Sequence, residues 1–392
     1  MIKIEENRFS RFELISWWKQ SLLKKSKVLV VGAGALGNEI IKNCALLGIG
    51  NILVADLDHI EDSNLSRSVL YRECDNGQPK AAVACQAAKK IYPQINIAPF
   101  CGNVVHDLGL GAYFWADIII GGLDNREARV AMNQGAAFAR KIWIDGAIEV
   151  LSGVAKVFHP HQGPCYECTM SEQDWKILDQ RRSCALLSRE QMQGGHIPTT
   201  PTTSSIIAGI QVQEAVKILH GLESIEGKGF VFNGSIADAY TIAYQKKDEC
   251  FGHETYQQLV ELDKSTDEVT VAEILQQAIQ DLGENAVVEL SRDIITALLC
   301  PNCQSRKEVF ASLGQVKESE GRCDQCQNMC VPETLSTLRR DCSFPEKTLR
   351  EIGIPYFDVV TARVGERSIS YLFVGDAEKL LPNLQHSWRK QC

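Results

Sequence analysis

Short apolar runs alternate with longer amphipathic stretches over the first part of the chain. The first run, KVLVV at 27–31, leads into GAGALG at 32–37 and then into an amphipathic stretch that ends at Leu47. A second run covers 52–55 and closes on Asp56. Strand, glycine turn, helix and strand in this order form a βαβ unit, the building block of a parallel sheet. The pattern therefore predicts an α/β fold that opens with a Rossmann-like unit.

Further apolar runs predict the other strands of this sheet. Helical patterns separate the earlier runs, which favours mostly parallel pairing, and the last two runs are expected to extend the sheet at one edge. The runs lie at 95–100, 117–121, 142–145, 153–158 and 229–233. We therefore expect one large, mostly parallel sheet to organise this part of the chain.

A polar segment rich in Arg, Gln, Thr and Gly runs from 171 to 203. Connections of this length are usually functional or disordered, so we predict an irregular, functional loop here. Behind it, apolar residues recur at helical spacing from Ser204 to His220, and Gly221 stands where a helix commonly ends. The sequence thus predicts a long loop that leads into a helix.

The chain has 392 residues, which is more than one ordinary core accommodates, so two domains are expected. Composition shifts after about residue 255, around ELDKSTDEV, and we place the boundary between a domain at 1–255 and a smaller one at 256–392. The smaller part carries a cysteine cluster at 300–330 and strand-like runs at 356–363 and 369–374. These features predict a small α+β unit.

Composition narrows the class of protein. With 45% hydrophobic and 23% charged residues the chain is typical of globular proteins, and its net charge of −8 argues against binding to nucleic acid, which needs basic surface. The start, MIKIEENRFS, lacks the layout of a signal peptide, and no apolar run is long enough to span a membrane. We expect a cytoplasmic enzyme, in which the 15 cysteines serve as thiols and metal ligands.

The glycine turn points to a nucleotide. Gly32, Gly34 and Gly37 allow backbone N–H groups and a helix N-terminus to approach phosphates, and Asp56 at the end of the second strand is placed to accept from ribose hydroxyls. These residues alone favour a dinucleotide-dependent enzyme of hydride transfer.

The polar motifs that follow change this interpretation. Asp56-Leu57-Asp58, then 63–67 (SNLSR), 77–80 (GQPK) and Asp124-Asn125 with Arg129 come in the order seen in one family. Over about residues 8–255 the chain resembles the ThiF and MoeB adenylyltransferases and the adenylation domains of ubiquitin-activating enzymes. The resemblance implies a Rossmann-like adenylation domain that uses ATP.

The resemblance also assigns roles in that chemistry. Attack of a carboxylate on the α-phosphate of ATP builds negative charge on phosphate oxygens, which cations and a metal ion stabilise. By similarity, Asn64, Arg67 and Lys80 contact the phosphates, Asp124 binds Mg²⁺ and Asp56 binds the ribose. Hydride transfer has no use for such a cationic set.

Two further residues follow from the resemblance. Arg8-Phe9-Ser10-Arg11 is similar to a family motif in which an arginine reaches the partner subunit's ATP site, which implies a homodimer with Arg11 in that role.

Arg181-Arg182-Ser183-Cys184 lies in the segment where the family carries its thioester- or persulfide-forming cysteine. Two guanidinium groups favour the thiolate, so Cys184 is the candidate nucleophile. The TTPTT run at 199–203 would then belong to the crossover loop that guides the carrier protein's tail.

Two sets of cysteines predict structural zinc sites. Cys165 and Cys168 match half of a four-cysteine site of the family, and the other half corresponds here to Cys250 and His253, a departure that still permits tetrahedral zinc. The second set has the spacing of a zinc ribbon, with Cys330 as a possible substitute ligand. This set is Cys300, Cys303, Cys323 and Cys326.

The function that we favour is ATP-dependent activation of the C-terminal glycine of a ubiquitin-like protein, thioester formation on Cys184 and transfer to a conjugating enzyme. The additional C-terminal domain supports this by analogy, since eukaryotic activating enzymes recruit the conjugating enzyme through an appended domain. The alternatives are a sulfur-carrier adenylyltransferase of thiamine or molybdenum-cofactor synthesis and, in a different class, an inactive scaffold. The intact set of Asp56, Arg67, Lys80 and Asp124 argues against the scaffold.

Overall fold

The computed structural model describes residues 6–183, 198–316 and 318–384. Its larger sheet has eight strands in the order β3-β2-β1-β4-β5-β6-β7-β8, parallel from β3 to β5 and antiparallel from β5 to β8. The strands are β1 Lys27–Val31, β2 Asn51–Asp56, β3 Asn96–Cys101, β4 Ile118–Gly121, β5 Trp143–Glu149, β6 Ser152–Phe158, β7 Lys228–Asn233 and β8 Asp238–Ala243. The predicted sheet and its extension at one edge are confirmed.

Helices cover both faces of this sheet. Alternate residues of β1 divide between two apolar clusters: Val28 and Val30 join the one beneath α2, α4 and α8, and Leu29 and Val31 join the one beneath α5 and α6. A strand buried on both faces is apolar throughout, which explains the unbroken KVLVV run. The described helices are α1 Gln20–Lys25, α2 Ala35–Leu47, α3 Asp62–Leu65, α4 Lys80–Ile91, α5 Gly111–Trp115, α6 Arg126–Phe138, α7 Glu172–Ser183, α8 Pro201–Leu219, α9 Val271–Leu282 and α10 Ala377–Leu380.

The prediction of an irregular loop from 171 to 203 is wrong at both ends. Helix α7 occupies its first part: Ser171 and Asp174 cap each other at its start, and Leu178 is buried. Helix α8 begins at Pro201, because the Thr200 hydroxyl accepts from the Thr203 N–H and proline fits the first turn. Polar composition hid α7 and the first turn of α8, whereas the helix predicted from Ser204 to His220 is confirmed.

The C-terminal part of the chain forms a second sheet with α9 against it. Its strands follow the order β11-β10-β13-β14-β9, and β12 also pairs with β10. They are β9 Leu259–Leu262, β10 Val287–Leu299, β11 Arg306–Ser312, β12 Val331–Leu338, β13 Val359–Val364 and β14 Arg367–Phe373. The predicted run at 356–363 therefore becomes a strand only from Val359, after Phe357 with its left-handed φ of 57°. The expected α+β class is confirmed.

The two sheets share apolar packing. Phe357, Leu372 and Leu381 belong to the same buried cluster as Leu29 and Trp115, which lie on the other side of the predicted boundary at 255. The C-terminal part is therefore packed directly onto the α5 and α6 face of the larger sheet. Among the described residues, no helix is both long and apolar enough to cross a membrane.

Candidate functional site

The glycine turn after β1 is shaped by backbone packing. Gly32 has a φ of +92°, and a Cβ there would lie 2.5 Å from the Gly122 oxygen; a Cβ on Gly37 would lie 1.8 Å from the Gly32 oxygen. Gly34, at the N-cap of α2, has no atom within 4 Å of an added Cβ. Backbone packing thus requires glycine at positions 32 and 37. At Gly34 there is open space at the N-terminus of α2, where an anion is favoured.

Asp56 fixes this turn from the neighbouring strand. Its carboxylate accepts from the Ala33 N–H at 2.6 Å and from the Asp58 N–H at 2.8 Å. Burial raises the pKa of the Asp56 carboxyl, and the nearby Lys80 ammonium opposes that rise. The carboxylate therefore depends on these donors and on Lys80 to stay charged inside the fold.

Lys80 is brought to the turn by the backbone around it. The Tyr71 hydroxyl lies 2.6 Å from the Ala33 oxygen and 3.2 Å from the Lys80 oxygen, linking the start of α4 to the glycine turn. The ammonium of Lys80 pairs with the exposed Asp58 carboxylate at 3.0 Å. The Asp58 side chain is 54% exposed, so water can solvate this carboxylate when Lys80 pairs with another anion.

Asn64 and Arg67 lie on and just after the short helix α3. Asn64 is buried and accepts from the Glu61 N–H, while the Arg67 guanidinium donates to the Ser63 carbonyl at 2.7 Å. The chain beyond them is anchored to α2, since the Leu70 N–H donates to the Asn38 side chain at 2.8 Å. The structure thus holds this segment beside the glycine turn.

Asp124 follows β4, the strand on the other side of β1. The Gly122 N–H donates to the Val31 carbonyl at 2.8 Å, so the segment that leads to Asp124 lies against the glycine turn. Arg129 fixes it further, donating to the Leu123 carbonyl at 2.5 Å and to the buried Asp145 at 2.9 Å. The Asp124 side chain itself is exposed.

The carboxyl ends of β2, β1 and β4 therefore gather Asp56, the glycine turn, Lys80 and Asp124 at one edge of the sheet. Strand order reverses between β1 and β4, and ligands of open α/β sheets bind at such a point. Arg11 is exposed and directly precedes a short 3-10 turn at Phe12–Leu14. Cys184 lies outside the described residues.

The first predicted metal set converges. Cys165 Sγ lies 3.6 Å from Cys250 Sγ and 3.8 Å from Cys168 Sγ, and Cys168 Sγ lies 3.1 Å from His253 Nε2. The His253 Nδ1 contacts the Pro160 carbonyl, which can only accept, so the proton is on Nδ1 and the Nε2 lone pair faces the thiols. Burial lowers the pKa of His253, which favours the neutral, ligating form. Three sulfurs and this nitrogen suit zinc.

The second predicted set also converges. Cys300 Sγ lies 3.4 Å from Cys326 Sγ, and Cys303 Sγ lies 3.5 Å from Cys323 Sγ. The pKa of Cys323 is lowered to about 6, mainly by a hydrogen bond from the Ser305 hydroxyl. This favours the thiolate, which is the form that binds metal. All four ligand atoms lie within 4.8 Å of one another, a set that leaves out Cys330.

Two zinc ions per chain are expected from these clusters. Replacing Cys300 and Cys303 together with serine should lower the zinc content to one, since the first cluster shares no ligand with the second. Metal analysis of purified protein measures both values. The matched control is Cys74→Ser, a free, exposed cysteine outside both clusters, which should keep two. A single zinc in the unaltered chain would disprove one of the clusters.

Comparison with known proteins identifies the family. The model of the ThiF family matches residues 7–250. The chain belongs to the ThiF family. The resemblance seen in the sequence motifs is thereby confirmed, and every residue gathered at the β2-β1-β4 edge lies inside the matched range.

Three relatives of this ThiF-family chain have names that describe different activities. The NEDD8-activating enzyme E1 catalytic subunit of Schizosaccharomyces pombe is 38% identical over 150 residues, 37% of this chain and 34% of the relative, so the chain spans about a third of that subunit. The SAMP-activating enzyme E1 of Haloferax volcanii is 29% identical over 59% of this chain and 81% of its own. The sulfur carrier protein adenylyltransferase of Thermus thermophilus is 28% identical over 58% and 80%.

Among solved structures, Escherichia coli MccB with MccA-N7isoASN is similar in fold, with a TM-score of 0.53 and 21% identity over 64% of this chain and 76% of that one. The likeness supports the α/β architecture.

Some residues that shape the site were missed by sequence reasoning. Tyr71 and Asp145 act through contacts between separate elements, with Ala33 and Arg129 respectively, so no local motif marks them. Asn133, within α6, gives a weak signal as a buried polar residue in a helix interior. Its side chain accepts from the Tyr166 N–H at 2.9 Å and donates to Glu167 at 3.1 Å, which ties the first metal cluster to α6.

Proposed function

We propose that the chain uses ATP and Mg²⁺ to adenylate the C-terminal glycine of a ubiquitin-like protein, holds the acyl group as a thioester on Cys184 and passes it to a conjugating enzyme. The observation that carries the proposal is the meeting of Asp56, the open Gly34 position, Lys80 and Asp124 at one edge of the sheet. Membership of the ThiF family and the NEDD8-activating relative support it.

In the first step a carboxylate oxygen of the terminal glycine attacks the α-phosphorus of ATP. The bond from that phosphorus to the bridging oxygen breaks, and pyrophosphate leaves. The open helix N-terminus at Gly34 and the cations Lys80 and Arg67 would face the phosphates, and Asp56 the ribose. Asp124 would hold Mg²⁺, whose charge stabilises the leaving pyrophosphate. Arg11 would serve the site of a second copy in a homodimer.

In the second step the Cys184 thiolate attacks the carbonyl carbon of the adenylate. A C–S bond forms, and AMP departs with the electrons of the broken C–O bond. The thioester can then exchange onto the cysteine of a conjugating enzyme. Neither step requires metal chemistry at the two cysteine clusters, which we assign a structural role because each offers four protein ligands.

A second candidate is adenylation of a sulfur-carrier protein. It is favoured by the Thermus relative, of which the match covers 80%, compared with 34% of the NEDD8-activating subunit. The first step is the same in both candidates. They differ in the fate of the adenylate, which ends either as a thioester on the enzyme or as a thiocarboxylate on the carrier.

The two candidates are separated by one experiment. We expect ATP–pyrophosphate exchange only when a small protein ending in glycine is present, with a thiol-labile adduct on the enzyme. The exchange is measured with labelled pyrophosphate, and the products are weighed by intact-protein mass spectrometry. Carrier thiocarboxylate formed with a sulfur donor would select the second candidate. Absence of exchange with every glycine-terminated carrier tested would reject both and favour the inactive scaffold.

A further inference from the structure

The segment that follows β3 borders the same edge of the sheet as the proposed nucleotide site. We define it as residues 102–110. Cys101 is the register partner of Asp56, and the Gly102 N–H donates to the Asp56 carbonyl at 3.2 Å. A shift of this segment would therefore change the wall of the site next to Asp56.

Arg292, on β10 of the second sheet, holds the middle of this segment. Its guanidinium donates to the Val105 carbonyl at 3.4 Å and to the Leu108 carbonyl at 3.3 Å. It also pairs with Asp358 at 3.1 Å, and the two side chains are 10% and 0% exposed. Arginine suits this place because its rigid fork can donate to several acceptors at once.

The far end of the segment is held by the same carboxylate. Asp358 accepts from the Leu110 N–H at 2.9 Å, and the next residue, Gly111, donates its N–H to the Phe357 carbonyl at 2.7 Å. A Cβ on Gly109 would lie 2.1 Å from the Tyr356 oxygen, so the backbones meet closely. Asp358 thus couples Arg292 to the end of the segment.

A third contact comes from the turn after β11. A Cβ on Gly314 would lie 1.9 Å from the His106 ring, and the Gln315 amide donates to Asp107 at 2.6 Å. Between these contacts a cavity of about 660 Å³ separates the segment from the second sheet, with Val104 and Arg292 in its wall. Val104, Leu108 and Leu110 pack in the apolar cluster that the two sheets share, and the polar contacts fix the segment beside the cavity.

We infer that Arg292 is a positioning residue for nucleotide binding, through which the C-terminal part of the chain holds the 102–110 segment against the edge that carries Asp56. The inference rests on the proposed function, since it assumes that ATP binds at this edge. It gives the C-terminal part a role in the first chemical step that is separate from recruitment of a conjugating enzyme.

The test is the affinity for ATP of Arg292→Lys. Lysine keeps the charge beside Asp358, but a single ammonium cannot span Asp358 and both carbonyls. We expect the Kd for ATP, measured by calorimetry without carrier, and the KM for ATP to rise about tenfold, a size typical of coupling between sites. The kcat of pyrophosphate exchange and the KM for the carrier should stay within about twofold of their original values.

Two further variants make the outcome decisive. Gln315→Leu removes one exposed contact with the segment and should weaken ATP binding in the same direction, which keeps the test available if Arg292→Lys fails to fold. Arg363→Lys is the matched control, because Arg363 pairs with Glu289 on a neighbouring strand of the same sheet, and it should bind ATP normally. Unchanged ATP affinity in a folded Arg292→Lys protein, or an equal loss in Arg363→Lys, would overturn the inference. Failure of the unaltered chain to bind ATP would instead reject the proposed function.

Discussion

Asp124→Ala is expected to lower the rate of ATP–pyrophosphate exchange by about 100- to 1,000-fold, about 3–4 kcal/mol of transition-state stabilisation. The side chain is exposed and precedes α6, so its loss removes a proposed Mg²⁺ ligand and leaves the core intact. The helix keeps its start, because Asn125 still accepts from the Ala128 N–H. Exchange of labelled pyrophosphate at saturating carrier measures the effect.

The matched control is Glu127→Ala, which removes a carboxylate from the first turn of the same helix. It should retain exchange close to that of the unaltered chain. Circular dichroism and thermal melting confirm that both variants fold. Exchange at the original rate in Asp124→Ala would show that the metal is held elsewhere and that the site at the β2-β1-β4 edge is wrongly assigned.

Cys184→Ala is expected to abolish the thiol-labile adduct with the carrier protein and to leave pyrophosphate exchange unchanged. Adenylation ends when pyrophosphate leaves, before any thiol acts, so the two readouts separate the two steps. Cys184→Ser should instead accumulate an ester that thiols do not cleave, because an alkoxide is a poorer leaving group than a thiolate. Non-reducing gels with and without dithiothreitol detect both results.

The control for this experiment is Cys74→Ala, which removes an exposed, free cysteine elsewhere in the chain. It should form the adduct normally. A thiol-labile adduct that persists in Cys184→Ala would place the nucleophile on another cysteine. Loss of exchange in that variant would mean that Cys184 has a structural role.

Much of the larger sheet could be predicted from local pattern alone. Strands buried on both faces are unbroken apolar runs, and the glycine turn has a spacing that few other structures need. The three Cys-x-x-Cys pairs of the metal clusters are equally accessible because their spacing is that of metal ligands, whereas Cys250 and His253 follow only from the family resemblance. In the second cluster Gln304 and Gln327 both take a left-handed φ, 59° and 60°, directly after the second cysteine of each pair, so the two turns repeat each other in structure as in sequence.

The errors come from features that only the folded chain reveals. The mostly polar residues of helix α7 predict a loop, whereas the folded chain has a helix that Ser171 and Asp174 cap and Leu178 anchors. Arg129 and Asp145, which support the segment that carries Asp124, lie in separate elements of the fold. No single stretch of the sequence predicts their contact. The same holds for Arg292, whose two carbonyl partners lie nearly 190 residues earlier. Contacts of that range arise from topology.

The packing shared by the two sheets makes the stability of one part of the chain depend on the other. Leu372 and Leu381, beyond the range that the family model matches, complete the apolar cluster that covers Leu29 and Trp115 within it. A gene cut at the end of the matched range would encode a protein with that apolar face open to water, at a cost of roughly 25 cal/mol for each Å² exposed. Removal of the C-terminal part is therefore expected to destabilise the ThiF-family region, so the two parts of this chain should unfold together as one cooperative unit.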